Sequence, residues 1–189
     1  MAEQISMFEV KNPKYCVLDF ETGGLNEKVN GLASVGVIRL DENLQEVDRA
    51  YFLMYEEDKT YEQGALDVNQ LTLEQLQREG VRPEQFIPRL HELVDGLIMV
   101  NHNSKFDMAW LNARGWSIQE TIDTMVLSLE LYPYQKAKQT IAAQREGIVV
   151  TNAHNALADV EVCAELLRKY ALKKADALTP KPIVWNRWR

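Results

Sequence analysis

Tyr15-Cys16-Val17-Leu18-Asp19-Phe20-Glu21-Thr22-Gly23-Gly24 is the stretch that decides the fold. The apolar run from Tyr15 to Phe20, closing on Asp19, Glu21 and the two glycines, reads as a buried strand entering a turn. Alternation along a strand puts Asp19 and Glu21 on one face and turns Phe20 to the other. Two neighbouring carboxylates on a mostly buried strand repel each other, and a cation between them relieves the repulsion. A solvated strand end accommodates the same pair with no ligand, so the pair alone leaves both readings open.

Outward from this strand, Leu32 to Leu40 and Val47 to Tyr55 read as two more, joined by a polar turn at Asp41 to Asn43 in an antiparallel meander. From Thr72 the pattern turns helical. Leu73 and Leu76 share one stripe, and Phe86, Leu90 and Leu93 another, with Pro83 suited to a first turn and Pro88 expected to bend or restart the helix. Leu97 to Asn101 is a short apolar run. Asn103 or Ser104 is placed to cap a helix through Arg114 that Gly115 ends. Further helices are expected over Thr124 to Leu131, Lys136 to Glu146 and Ala156 to Leu172, the last with a stripe of Val160, Cys163, Leu166 and Leu167. Strands first and helices interleaved later predict an α/β or α+β arrangement on one sheet.

At 189 residues the chain fits one domain. A hydrophobic share of 46% and a charged share of 26% exclude disorder, collagen-like repeats or a coiled coil as descriptions of the whole. Apolar runs such as Leu97 to Val100 fall far short of a membrane span, and Met1 to Lys14 has no apolar stretch like a signal peptide's; a cytoplasmic location with no membrane partner is expected. Cys16 and Cys163, far apart and without a CxxC, read as small buried hydrophobes. The net charge of −7 argues against a broad basic face gripping duplex phosphates, yet a carboxylate cluster that holds metal is itself acidic when empty. Residues 173–189 carry a net +4, leaving −11 for residues 1–172. They read as a basic tail, interrupted by Pro180 and Pro182 and containing Trp185 and Trp188, beyond a domain spanning 1–172. Folding back onto the core ranks slightly ahead of partner docking or stacking on nucleic acid for this tail.

Two further carboxylates are weak signals individually. Asp107, in Asn101-His102-Asn103-Ser104-Lys105-Phe106-Asp107, falls in a helix's first turn, where acids often answer the helix dipole alone. Asp159, in His154-Asn155-Ala156-Leu157-Ala158-Asp159, follows a histidine that on its own reads as a cap or packing residue. The ordered combination is far more specific. Asp19-x-Glu21-Thr22, His102-Asn103-x-x-Phe106-Asp107 and His154-x-Ala156-x-x-Asp159 resemble the three motifs of the DEDDh, or DnaQ-like, 3′-to-5′ exonucleases of the ribonuclease-H-like superfamily. Gly36, Val68-Asn69-Gln70-Leu71-Thr72 and Ile122-Asp123-Thr124 add matches between the motifs, and the resemblance covers roughly residues 14 to 170. Two places depart from the pattern. Thr22 is followed by Gly23-Gly24 where the family usually has a second threonine and one glycine, and the Val68 to Leu71 turn lacks the usual histidine and glycine.

The resemblance implies a central mixed sheet with its first three strands antiparallel and helices on both sides. It implies that Asp19, Glu21, Asp107 and Asp159 hold two Mg²⁺ or Mn²⁺ ions, with Asp19 bridging them, and that His154 is the general base. Hard carboxylate oxygens suit those cations, and two ions about 4 Å apart activate the attacking water and stabilise the leaving oxygen. It further implies a substrate with a free 3′ end, single-stranded DNA ahead of RNA, cut to nucleoside 5′-monophosphates, and a polymerase or other replication or repair protein as possible partner. An accessory module on the same fold is the rival from another class. Backbone amides at Thr22 and Gly23 are expected at the terminal nucleotide, with Leu25 and Phe106 as apolar surface and Asn103 orienting a phosphate or capping its helix. Asp123 is read as a local hydrogen-bond partner and His91 as a surface residue. Tyr132, Tyr134, Lys136 and Lys138 form an aromatic and basic cluster that either packs on the core or grips a single strand, with packing favoured.

Overall fold

The computed structural model describes residues 12–151 and 155–185. Three antiparallel strands, β1 (Tyr15–Thr22), β2 (Leu32–Leu40) and β3 (Glu46–Leu53), form the expected meander. Helices α1 (Gln63–Val68), α2 (Leu73–Glu79) and α3 (Pro83–Val94) then lead to β4 (Ile98–Asn101), α4 (Ser104–Asn112) and β5 (Glu120–Asp123). The chain continues through α5 (Thr124–Leu131), α6 (Gln139–Arg145), α7 (Ala156–Ala171) and β6 (Lys181–Pro182). The sheet order is β3-β2-β1-β4-β5-β6. β4 runs parallel to β1 and β5 parallel to β4, so the sheet is mixed and the α/β expectation holds.

The alternation of β1 sorts the core. Cys16, Leu18 and Phe20 join Phe86, Leu90 and Val94 of α3 and Met108, Trp110 and Leu111 of α4 in one buried cluster. Tyr15 and Val17 face the other way, onto Val160, Cys163, Leu166, Leu167 and Tyr170 of α7. Each buried side chain of this size stabilises the fold by roughly 1.5–3 kcal/mol over exposure, so both faces of β1 are strongly fixed. Asp19 and Glu21 continue the α7 face by the same alternation.

Several elements differ from expectation for local reasons. β1 extends to Thr22, through a bulge between Glu21 and Thr22. β3 ends at Leu53 because Met54 turns to bridge Val81. α3 runs unbroken across Pro88, with Phe86, Leu90 and Val94 rather than Leu93 as its buried stripe. α6 begins only at Gln139, leaving 136–138 as loop. Residues 181–182 pair antiparallel with β5, the Ile183 amide donates to the Gln119 carbonyl at 2.8 Å, and Ile183 and Trp185 pack on the α3–α4 side of the core. The lysines there are paired internally: Lys181 with Glu130 at 3.0 Å and Lys174 with Asp176 at 2.5 Å. Trp188 lies outside the described residues. Cys16 and Cys163 are buried and unbridged. Among the described residues no helix is long and apolar enough to cross a membrane.

Candidate active site

The site forms where β1 outlasts β4. Their pairing ends at Val17 opposite Val100, and the Asn101 side-chain amide closes the end of β4 by donating to the Leu18 carbonyl at 2.6 Å. Past that point the buried Phe20 amide has no strand partner, and such a group costs about 1–3 kcal/mol if left bare. Asp107, in the first turn of α4, supplies it: its Oδ1 accepts from the Phe20 amide at 3.0 Å.

α4 is aimed by a residue that the sequence marked only as a local partner. Asn103 enters the helix in a left-handed conformation, with φ of 74° and no side-chain cap, so neither it nor Ser104 fills the capping role expected of them. Asp123 does so instead. Its Oδ1 accepts from the Asn103 amide at 3.0 Å and the Met125 amide at 2.9 Å, and its Oδ2 from the Ser104 amide at 2.9 Å. One carboxylate therefore satisfies the starts of α4 and α5 together.

α7 is aimed by close approach. Asp19 lies in register opposite Gly36 of β2, and a Cβ at Gly36 would stand 2.2 Å from the Ala156 carbonyl oxygen. Only glycine lets the first residue of α7 rest on the strand backbone at this point. The Asn155 side chain caps the helix, accepting from the Ala158 amide at 3.2 Å. Asp159 follows in the first turn, and ligand oxygens of Asp19, Glu21 and Asp159 come within 4.8 Å of one another. His154 lies outside the described residues.

The electrostatics follow from crowding acids in a dry place. Burial holds Asp19 well above the ordinary carboxylate range, helped by Asp107, Glu21 and Asp159. Burial, then Asp159, pushes Glu21 up to about 7. Asp107 is also raised by burial, against the pull of its bond from the Phe20 amide. Protons or a divalent cation relieve this repulsion, and the oxygen-only donor set fits a hard ion such as Mg²⁺ or Mn²⁺. Asp107, with one oxygen engaged by backbone, stands beside the three-carboxylate group rather than in it.

All four acids line a cleft of about 550 Å³. His102, Lys138, Gln139 and Thr140 complete its lining; the sequence reading carried His102 only within its motif and Lys138 only in the cluster with Tyr132, Tyr134 and Lys136, and gave Gln139 and Thr140 no role. Burial depresses the His102 pKa; Nε2–H donates to the Ala137 carbonyl at 2.7 Å, and Nδ1 lies 2.9 Å from the Thr124 hydroxyl, which itself donates to the Asn101 carbonyl at 3.1 Å. The Gln139 side chain donates to the Asp159 carbonyl at 2.8 Å, joining α6 to the acid-bearing turn of α7.

A family model for RNase T-type proteins, described as Exonuclease, matches residues 16–167, a span that contains the whole site. The chain belongs to this exonuclease family. Among curated relatives, the exonuclease chain is 25% identical over 167 residues to the DNA polymerase III PolC-type of Clostridium perfringens, covering 85% of this chain and 11% of that protein. It is likewise 25% identical over 172 residues to the PolC-type polymerase of Thermotoga petrophila, covering 87% of this chain and 12% of the relative. The chain thus spans about a tenth of the length of the curated relatives it matches. Among solved structures, E. coli exonuclease I in complex with a dA16 oligonucleotide superposes with a TM-score of 0.76 at 18% identity, over 88% of this chain and 42% of that one. That likeness shows the ribonuclease-H-like fold expected from the motifs.

Within the exonuclease fold, the residues expected to position substrate divide into two groups. Leu25, Asn103 and Phe106 line one trough beside the cleft, with Leu25 86% exposed. Thr22 and Gly23 are buried in the turn after β1. The Gly23 amide donates to the Gly31 carbonyl at 2.8 Å within the turn. The Thr22 hydroxyl donates to the Gly24 carbonyl at 2.6 Å, and the Thr22 carbonyl accepts from Asn69 at 2.9 Å.

Proposed function

We propose that the protein removes nucleotides from the 3′ end of single-stranded DNA, one at a time, as nucleoside 5′-monophosphates. The observation that carries this reading is the meeting of Asp19, Glu21 and Asp159 within 4.8 Å, beside Asp107, at the end of β1 in a chain of the exonuclease family. Asp19, Glu21 and Asp159 would hold a divalent ion, with Asp107 supporting a second. Ions bound there supply a more acidic water and neutralise charge on the leaving oxygen. His154, directly before the α7 cap Asn155, takes the proton of the attacking water. The new bond joins that water's oxygen to phosphorus, and the P–O3′ bond breaks, leaving a fresh 3′ hydroxyl on the shortened strand. His102 holds the wall of the cleft through Ala137 and Thr124. The likeness to PolC-type polymerases supports a replication or repair setting.

The test follows 5′- and 3′-labelled single-stranded DNA and RNA of one sequence with Mg²⁺, with Mn²⁺ and with chelator. Stepwise shortening from the 3′ end, faster on DNA and lost in Asp107→Ala, is expected. Faster RNA trimming would move the substrate to RNA, and no cleavage of either would sink the enzymatic reading. His154→Ala should keep metal binding yet lose activity by a factor of about 10²–10⁴, the usual worth of a general base.

A further inference from the structure

Beside the catalytic cleft runs a second concavity of about 640 Å³ that shares Asn103, Phe106, Met125 and Lys138 with it. Its floor is apolar, with Phe106, Trp110 and Leu129 among its lining residues. Its charged lining is basic, Lys105, Lys136 and Lys138 against Glu27, on a chain whose net charge is −7. An apolar floor with a cationic rim, continuous with a site that cuts phosphodiesters, matches bases with their phosphates rather than a protein segment.

The loop between α5 and α6 forms one bank and separates its two tyrosines. Tyr132 is turned inward: its hydroxyl donates to Glu146 at 2.6 Å and the Arg145 guanidinium lies 4.7 Å from its ring centroid. Tyr134, directly before the lining residue Gln135, is fully exposed and sits at φ of 72°. A left-handed backbone is strained for an aromatic L-residue, and this ring packs against nothing that repays the strain. The loop is nevertheless held, by His102 on the Ala137 carbonyl at 2.7 Å and by Arg145 on the Lys136 carbonyl at 2.6 Å. An exposed ring on a pinned, basic loop is a stacking surface.

We propose that this trough seats the single strand upstream of the nucleotide being removed, with Tyr134 as a stacking platform for a base and Lys136 and Lys138 meeting its phosphates. The inference rests on the exonuclease reading only for the identity of the strand, and binding tests it separately from cleavage. The full chain is titrated, in Ca²⁺ and in chelator, against a fluorescein-labelled oligothymidylate of about twelve nucleotides, followed by anisotropy. Tyr134→Ala should weaken binding about tenfold, the effect of one lost base stack, while Tyr134→Trp retains it. Tyr134→Gly should also weaken binding yet hold or raise the melting temperature, because glycine removes the strain. Mononucleotide release is read on parallel samples of the same proteins in Mg²⁺ and in Mn²⁺. Binding that depends on Tyr134 without any release would overturn the exonuclease reading and leave the trough standing. Release with equal affinity in wild type and Tyr134→Ala would overturn the trough alone, and equal loss in the alanine and tryptophan variants would show that stacking is not what Tyr134 provides.

Discussion

α4 and α7 each bring an aspartate to the end of β1, from opposite faces of the sheet, by different physics. Asp107 is tied by a hydrogen bond to a strand amide and sits on a helix whose start is satisfied by Asp123. Asp159 sits on a helix that is positioned because β2 has no side chain in its way at Gly36. The first arrangement tolerates small shifts while its hydrogen bonds persist. The second works by exclusion and tolerates almost none.

Among changes that move a helix and leave the acids in place, the largest effect should come from breaking the steric side. Gly36→Val drives atoms into the Ala156 carbonyl and pushes α7 outward, which should cut turnover by a factor of about 10² through misplacement of Asp159. The overpacking should also cost about 1–3 kcal/mol, read by thermal unfolding. Wild-type turnover in this variant would show that close approach is not what places α7. On the hydrogen-bonded side, Asp107→Ala leaves the Phe20 amide bare and should destabilise by about 1–3 kcal/mol, whereas Asp107→Asn keeps an acceptor and most of that stability. Asp159→Asn removes a charge that repels Glu21 and should lower the pH at which Glu21 ionises, read from denaturant titrations at successive pH values.

pH sharpens the contrast. Glu21 is held at about 7 against an ordinary 4.5, so between those values the folded chain keeps a proton that the unfolded chain has released. Its contribution is complete below the unfolded value and is lost as pH rises through 7. In chelator, stability should therefore fall on the order of 1–2 kcal/mol from acidic to neutral pH, with Mg²⁺ or Mn²⁺ restoring it above neutrality. Glu21→Gln should flatten part of this slope in denaturant titrations at successive pH values, and an unchanged slope would remove Glu21 as its source. A smaller effect is expected at Asn155, whose loss to alanine removes the α7 cap and should cost about 1 kcal/mol, read by thermal unfolding.

Much of this was legible in the sequence where signals were long or came in ordered sets. The runs at Tyr15, Leu32 and Val47 predicted the meander because apolar residues persist over most of a strand and a polar turn separates the second from the third. The acids were legible as a set because strand alternation and helix first turns restrict where such residues face. Short elements were not legible: α1 has only Leu66 buried, and β6 is two residues long. Neither carries enough periodicity to stand out from loop. Gln139 and Thr140 escaped for a related reason, since they belong to the first turn of α6, where position depends on tertiary contacts. Tyr132 and Tyr134 look alike in sequence, and only the placement of Glu146 and Arg145 decides which one turns inward.

The shared cap at Asp123 has a practical consequence for anyone ranking this protein's positions by loss of activity. With α4 and α5 starting from one carboxylate, Asp123→Ala would disturb Asp107, Asn103 and Met125 at once. In a screen scored by turnover it would be indistinguishable from a metal ligand. Only a titration of metal affinity would separate a bracket that holds up two walls of the site from the groups that face its contents.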